Sequence, residues 1–365
     1  MTTRPVVWVL GSDKLGDNAQ LEQIAACLAG CCAVEPRRLV FKARHRVGKP
    51  WFTPSVRHVD VAASSPLSPP WPDLILTAGR RPAMVALWIK AQSNNATRVA
   101  LVGRPKRWPH AFDLIIAASQ YLIPAWPNVV TTRLPLMDID HHRLAQARTQ
   151  FADALAAVPR PLTAVMIGAA TRPFRLRATD IERMLGQLRA RSGGQGTLWL
   201  VTSRRTSTEV RDALPAMLRG SDRLHDFSNG GANPYLALLA DADDVAVTGD
   251  SVSMITEAVR AGRPLTILPL PRSQSRFAAW VDRLLDGSRW LRPNAWQRLR
   301  LRLGWVAFPR RLEALHETLV RAGLAVWPDT PPRAIERTET APELAPVIER
   351  LCSLLIHHPG ATARG

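Results

Sequence analysis

Short apolar runs rich in β-branched residues alternate with longer stretches of helical periodicity along most of the chain. That alternation predicts βαβ units built around parallel sheets. In the first half, strands are expected at Val6–Leu10, Leu39–Phe41, Leu74–Thr77, Val99–Val102 and Leu114–Ala117, with a sixth at Val129–Thr132. Helical patterns cover Asn18–Ala29 and Pro82–Ala91, and the Pro-rich Ser64–Pro72 reads as a loop. The pattern then restarts. Ala164–Ile167, Leu198–Val201, Val245–Val247 and Leu265–Leu268 read as strands. Ala178–Arg191, Ser207–Arg219, Tyr235–Ala240 and Ser251–Ala261 read as helices. A helix over Leu144–Ala157 ends at Pro159-Arg160-Pro161, which marks the expected domain boundary.

The predicted organisation is an α/β chain of 365 residues, long enough for two cores. A Rossmann-like domain spans 1–158 and a second spans 159–327. A Pro/Thr/Glu-rich linker and a C-terminal helix complete 328–365. In that helix, Glu343–His357 sets Leu344, Val347, Ile348, Leu351, Leu354 and Leu355 on one face, and His357-His358 begins a terminal tail. Two serial arrays imply two parallel sheets facing an interdomain cleft. In such sheets ligands sit beyond the carboxyl ends of the strands.

Charge narrows the partners. Of 48 basic residues only five are Lys, and the formal net charge is +18. Such a chain attracts anions: phosphorylated substrates, acidic glycans, anionic lipid or nucleic acid. A GC-rich coding sequence is the competing source of an arginine excess. Cys27, Cys31, Cys32 and Cys352 form no C-x-x-C pair and have no His at zinc-ligand spacing. They read as small buried thiols in a reducing, cytoplasmic compartment. No stretch reaches ~18 uninterrupted apolar residues, so no membrane-spanning helix is expected. Val6–Leu10 is also too short for the core of a signal peptide.

The strongest chemical signal runs from Asp243 to Ala258, where a strand leads through Gly249 and Asp250 into a helix. Gly249 permits a sharp turn and close ligand approach. The unpaired N–H groups of Ser251, Val252, Ser253 and Met254, with the positive end of the helix dipole, suit a pyrophosphate without any metal. Ser251 and Ser253 add hydroxyl donors, and Glu257 lies on the Ser253 side of the helix. There it can accept from both hydroxyls of a ribose. The alternative is an N-capped helix with a solvated Glu.

The segment Gly249–Pro264 resembles the donor-nucleotide segment of GT-B glycosyltransferases, and the whole chain is similar to the mitochondrial fission (elongated-mitochondria) family. The matching pieces are Gly16-Asp17-Asn18-Ala19-Gln20, Asp73–Arg80, Thr202-Ser203-Arg204-Arg205-Thr206 and Gly249–Glu257. Bacterial members of that family are regarded as candidate glycosyltransferases, so the resemblance implies a GT-B-like fold and a nucleotide-diphosphate sugar as donor substrate. It implies no further cofactor. One departure is visible. Members often carry Gly-Gly after the first strand of the second domain, whereas this chain has Gly168-Ala169, whose methyl crowds a phosphate.

Further candidates follow strand ends. Thr202, Ser203, Arg204 and Arg205 offer hydroxyls and guanidinium groups to a phosphate, or are an N-cap with two surface arginines. Gly168-Ala169-Ala170-Thr171-Arg172 follows the preceding strand and suits the same cleft. In the first domain the loop Gly11-Ser12-Asp13-Lys14-Leu15-Gly16-Asp17-Asn18 faces the acceptor in a GT-B arrangement. There Asp17 is either a general base or a helix N-cap. Gly16, Asn18 and Arg80 join it on the acceptor side, Arg80 toward an acceptor phosphate. Asp138-Ile139-Asp140 reads as surface capping residues rather than a metal-diphosphate motif, and no metal site is expected.

Finally, Ser288–Arg311 interleaves Arg289, Arg292, Arg298, Arg300 and Arg302 with Trp290, Trp296 and Trp305. This suits an anionic membrane surface, stacking on nucleic acid, or a packed helix covered by Arg. No nucleic-acid-binding motif supports the second. The function expected is transfer of a sugar from a nucleotide diphosphate to a saccharide or lipid-linked envelope acceptor, at the inner face of the cytoplasmic membrane. The rival is a non-catalytic membrane-associated or partner-binding protein on the same fold.

Overall fold

The computed structural model describes residues 4–11, 15–43, 53–171, 174–273, 275–308 and 310–356. Ser12–Lys14, Arg172 and His357-His358, named above, lie outside them. The chain divides into two compact units. The first is Met1–Met137 with Trp280–Arg311 and Thr340–Gly365; the second is Asp138–Ala279 with Leu312–Glu339.

In the first unit, six strands form one parallel sheet: β1 (Val6–Leu10), β2 (Ala33–Arg37), β3 (Leu74–Ala78), β4 (Arg98–Val102), β5 (Leu114–Ala118) and β6 (Val129–Thr132). Their order is β2-β1-β3-β4-β5-β6. Helices α1 (Leu15–Leu28) and α2 (Arg80–Gln92) are the crossovers that follow β1 and β3. One face of the sheet buries Val7, Leu74, Leu76 and Ile116 against Leu21, Ile24 and Leu28 of α1. The other buries Trp8, Leu10, Ile75 and Ile115 against Met84, Val85 and Ile89 of α2. A strand covered on both faces must be apolar throughout, which is why these strands read as continuous runs rather than alternating ones.

In the second unit α3 (His141–Gln150) and α4 (Ala152–Ala156) precede β7 (Leu162–Ile167). Then follow α5 (Ala178–Arg191), β8 (Thr197–Thr202), α6 (Thr208–Ala213), β9 (Arg223–His225), α7 (Tyr235–Asp241), β10 (Asp244–Thr248), α8 (Val252–Arg260) and β11 (Leu265–Leu268). The parallel sheet has the order β11-β10-β7-β8-β9. The remaining helices are α9 (Arg276–Leu285), α10 (Ala295–Leu303), α11 (Leu312–Arg321) and α12 (Ala341–Ile356).

Several expectations are corrected. The boundary lies near Asp138 rather than at 158, because α3 packs against α7 of the second sheet's unit. The C-terminal helix is not an appendage. Leu344, Val347, Leu351 and Leu355 of α12 bury their face in the core beneath α1. The strand expected at Leu39–Phe41 lies instead at Ala33–Arg37, in register with β1 from Val6–Ala33 to Leu10–Arg37. It is an edge strand, where Pro36 removes no necessary ladder bond. The helix expected over Ser207–Arg219 stops at Ala213, because Pro215 has no N–H to continue it. Cys27 and Cys31 are exposed, flanking the last buried residue of α1, and only Cys32 is buried. No helix among the described residues is long and apolar enough to cross a membrane.

Candidate functional site

In each sheet the strand order reverses at one point, and there the loops diverge to leave a crevice at the carboxyl ends. In the second sheet that point lies between β7 and β10, which pair from Asp244–Thr163 to Val247–Met166. The two strands end just before Gly168 and Gly249, so the turn singled out in the sequence stands at the topological switch.

The turn itself is held tightly. Gly249 N–H donates to the Leu268 carbonyl at 2.9 Å. Asp250 is buried, and its carboxylate accepts from the Ala169 N–H and the Thr248 hydroxyl, both at 2.8 Å. The Thr248 oxygen in turn accepts from the Gly168 N–H at 2.8 Å. Burial pushes the Asp250 carboxyl above its ordinary value, against those hydrogen bonds and the nearby Arg205 charge. The amides of Gly168 and Ala169 are thus occupied by Thr248 and Asp250 rather than open to a phosphate. Gly168 is required by packing: a β-carbon there would lie 2.6 Å from Asp250 Oδ1. Gly168 and Asp250, read as part of the donor-binding stretch, are engaged in holding the turn itself, and the reason is the hydrogen-bond demand of a buried turn.

Beyond the turn, α8 starts without a side-chain cap. Ser251 is the N-cap residue and is buried; Val252 is buried, while Ser253 and Met254 are half-buried. The Ser251 N–H donates to the Thr248 carbonyl at 3.2 Å, whereas the N–H groups of Val252, Ser253 and Met254 have no partner within the helix, at the positive end of its dipole. One turn further, half-buried Glu257 accepts a hydrogen bond from the Tyr235 hydroxyl of α7. Burial raises the Glu257 carboxyl above its usual range, and the Tyr235 hydroxyl partly offsets this. Tyr235 is itself raised, by burial first and by the Glu257 charge second.

Glu257 and Tyr235 line a cavity of about 460 Å³ with Leu236, Asn233 and, from the segment entering α3, Asp138, Ile139, Asp140 and Arg143. Asp140 is the N-cap of α3, accepting from His142 N–H at 3.0 Å and Arg143 N–H at 3.1 Å. The capping role read from sequence is therefore observed, but this pair also walls the Glu257 cavity. Tyr235 was missed as a site residue because it lies 22 positions from Glu257 and reads only as helix.

At the end of β8 the candidates divide. The Thr202 hydroxyl is buried, donating to Asp226 at 3.0 Å and accepting from Phe227 N–H at 2.9 Å, so it braces the β9 loop. Ser203 N–H donates to Thr206 Oγ1 at 2.9 Å, and Thr206 donates to the Gly168 carbonyl at 2.9 Å. Arg204 and Arg205 are exposed, and neither forms an ion pair among the described residues. In the first unit the corresponding switch lies between β1 and β3. Gly16, Asp17 and Asn18 occupy the first turn of α1, so Asp17 is not the N-cap; its charge instead complements the helix dipole. Asn18 closes on Gly11, and Arg80 opens α2 after Gly79, whose φ is 82°. Burial and the Arg107 charge lower the Arg80 pKa.

In the arginine-rich segment, Trp290 is half-buried rather than fully exposed. Its backbone accepts from Trp126 Nε1 at 3.0 Å, and its ring packs on the cluster of Trp126, Leu301, Val306 and Phe308. Arg300 stacks on it at 4.7 Å. Arg289, Arg292, Trp296, Arg298, Arg302 and Trp305 are exposed.

Comparisons with known proteins agree with this architecture. A family model described as mitochondrial fission ELM1 matches residues 16–332. The mitochondrial fission protein ELM1 of Arabidopsis thaliana is 25% identical over 237 residues, 59% of this chain and 56% of that protein. The chain thus spans little more than half the length of that relative. The uncharacterized protein RP120 of Rickettsia prowazekii (strain Madrid E) is 24% identical over 320 residues, 77% of this chain and 88% of that protein. Among solved structures, a UDP-GlcNAc 2-epimerase from Neisseria meningitidis, bound to UDP-GlcNAc, matches with a TM-score of 0.52 at 13% identity. It covers 95% of this chain and 99% of that chain. The likeness agrees with the fold: two Rossmann-like α/β units with parallel sheets, as in that epimerase.

Proposed function

The chain belongs to the mitochondrial fission ELM1 family, and from that premise we propose that its second unit binds a nucleotide-diphosphate sugar. The observation that carries the reading is the uncapped N-terminus of α8 at the β7–β10 switch point, one turn from a carboxylate that walls a 460 Å³ cavity. The diphosphate takes the N–H groups of Val252, Ser253 and Met254, with the Ser251 and Ser253 hydroxyls beside them. The exposed Arg204 and Arg205 add charge from the adjoining strand end. Glu257 accepts from the ribose hydroxyls, and the Tyr235 hydroxyl fixes its orientation. Helix dipole and guanidinium groups then stabilise the departing nucleoside diphosphate, with no metal in the scheme.

The reaction read from this is glycosyl transfer to a saccharide or lipid-linked acceptor. The UDP-GlcNAc held by the Neisseria epimerase makes UDP and its sugars the first donors to test. A second reading, binding without transfer, is favoured by one observation. The Gly168 and Ala169 amides, available to a phosphate in an open turn, are occupied by Thr248 and Asp250.

A thermal-shift panel of nucleotides and nucleotide sugars on wild type and Glu257→Ala tests both readings. A ligand at ~100 times its Kd adds roughly 2.7 kcal/mol, a shift on the order of several degrees. Stabilisation by one nucleotide family, lost in Glu257→Ala, supports the donor site. Absence of any shift refutes it. Nucleotide binding with no release of nucleoside diphosphate from its sugar, with or without acceptor mixtures, selects the non-catalytic reading.

A further inference from the structure

The segment that returns to the first unit leaves an apolar surface facing solvent. On α9, Phe277, Trp280 and Leu284 are each more than half exposed, and their spacing makes one stripe along the helix. α10 repeats the arrangement. Trp296, Leu299 and Leu303 form an exposed stripe, Trp296 at 61%, while Leu301 of the same helix is buried with Trp126 and Phe308. The helix therefore has two apolar faces, one in the core and one in water. Leu291 in the connecting turn and Trp305 beyond α10 are also more than half exposed. Trp280, Leu284, Trp290 and Trp296 line one groove of about 460 Å³. A monomer rarely shows so much contiguous apolar surface without a use for it.

The surface is also strongly cationic. From Arg276 to Arg311 the chain carries nine Arg against Asp282 and Asp286. Asp286 pairs with Arg311 at 3.0 Å. Arg283, Arg289, Arg292, Arg298 and Arg302 are exposed among the apolar residues. Arg300 has a different role: it stacks on Trp290 and donates to the Leu284 and Trp305 carbonyls, bracing α9 against α10. α10 has an Asn294–Gln297 capping box and ends at Gly304 in the left-handed region.

We propose that this face docks peripherally on an anionic phospholipid surface. The Trp and Leu side chains enter the boundary between headgroups and acyl chains, and the exposed Arg side chains bind lipid phosphates. A second copy of the chain is disfavoured by charge, since self-pairing sets this arginine face against itself. Nucleic acid would engage the Arg and Trp side chains but leave Leu284, Leu291, Leu299 and Leu303 without partners. Lipid satisfies both chemistries at once, and in-plane seating suits helices too short to span a bilayer. The proposal is independent of the nucleotide reading.

The test is flotation of the full chain with vesicles of phosphatidylcholine alone, and of phosphatidylcholine mixed with phosphatidylglycerol. Binding to the anionic vesicles, weakened by salt, is expected. Arg298→Gln with Arg302→Gln should reduce partitioning about thirtyfold, at ~1 kcal/mol for each Arg near the surface. Trp296→Ser with Leu303→Ser should reduce it by about tenfold or more. All four side chains are exposed, so melting temperatures should stay near that of wild type and separate lost docking from lost folding. No flotation, or unchanged flotation of both double variants, overturns the proposal. So does a lipid-free dimer abolished by Trp296→Ser with Leu303→Ser, or an oligonucleotide complex lost in these variants while vesicles never bind.

Discussion

His316 of α11 fills the space where a side chain on Gly249 would stand: a β-carbon there would lie 2.7 Å from the imidazole Cε1. The turn at the head of α8 is thus moulded against a buried ring 67 positions away in sequence. Gly249→Ala should cost about 1–3 kcal/mol through overpacking. Combining it with His316→Ala should recover part of that loss, because the clash disappears. A double-mutant cycle by chemical denaturation checks this, and strict additivity would refute the contact.

His316 also sets a pH dependence. Burial lowers its pKa from 6.5 to about 4, with the Gly249 backbone acting in the opposite direction. Between those values the unfolded chain binds the proton more readily than the folded one. Stability should therefore fall by roughly 3 kcal/mol as pH drops from about 6.5 to 4, and this group should contribute no slope above that window. His316→Gln should flatten that part of the denaturation profile. A profile identical to wild type would show that other groups carry it.

Tyr235 and Glu257 give a prediction for binding. The Tyr235 hydroxyl is the cause that holds the Glu257 carboxyl down against burial. Tyr235→Phe should therefore raise the Glu257 pKa further. If the ionised carboxylate receives the ribose hydroxyls, nucleotide affinity should begin to fall at a higher pH in Tyr235→Phe than in wild type. Kd measured across a pH series checks this, and parallel curves would separate Tyr235 from the binding event.

At the opposite end of the second sheet, Arg191 and Asp244 form a buried ion pair at 2.5 Å, and Thr266 donates to the same carboxylate at 2.9 Å. Removing one partner leaves a buried charge uncompensated. Asp244→Ala should cost about 3–5 kcal/mol, while Arg191→Met with Asp244→Leu should restore much of it. Denaturation midpoints of the three variants decide the point, and a small effect of Asp244→Ala would mean that water already reaches the pair.

How much was legible in the sequence depends on the range of the interaction. Strands such as Val6–Leu10 and Leu265–Leu268, and the helix Ala178–Arg191, were read to the residue. Their patterns are set by local backbone hydrogen bonding and by burial of near neighbours. β9 was missed: it has three residues, lies at the sheet edge and carries Arg223 and His225. β2 was displaced because its Ala-Val-Glu-Pro-Arg sequence is less apolar than Leu39–Phe41, and only its pairing with β1 marks it as a strand.

The sequence by itself determined the alternation of elements, the two parallel sheets and the turn from Gly249 into α8. Each follows from periodicity and from the conformational freedom of a single glycine. Tertiary structure alone decided which groups of that turn are free. The Gly168 and Ala169 amides are taken by residues about 80 positions away, Gly249 is fixed by His316, and Glu257 meets Tyr235. It also decided that residues 280–311 and α12 complete the first unit. Such pairings depend on chain closure over long separations and on competition among buried polar groups for partners. Neither leaves a local pattern in the order of residues.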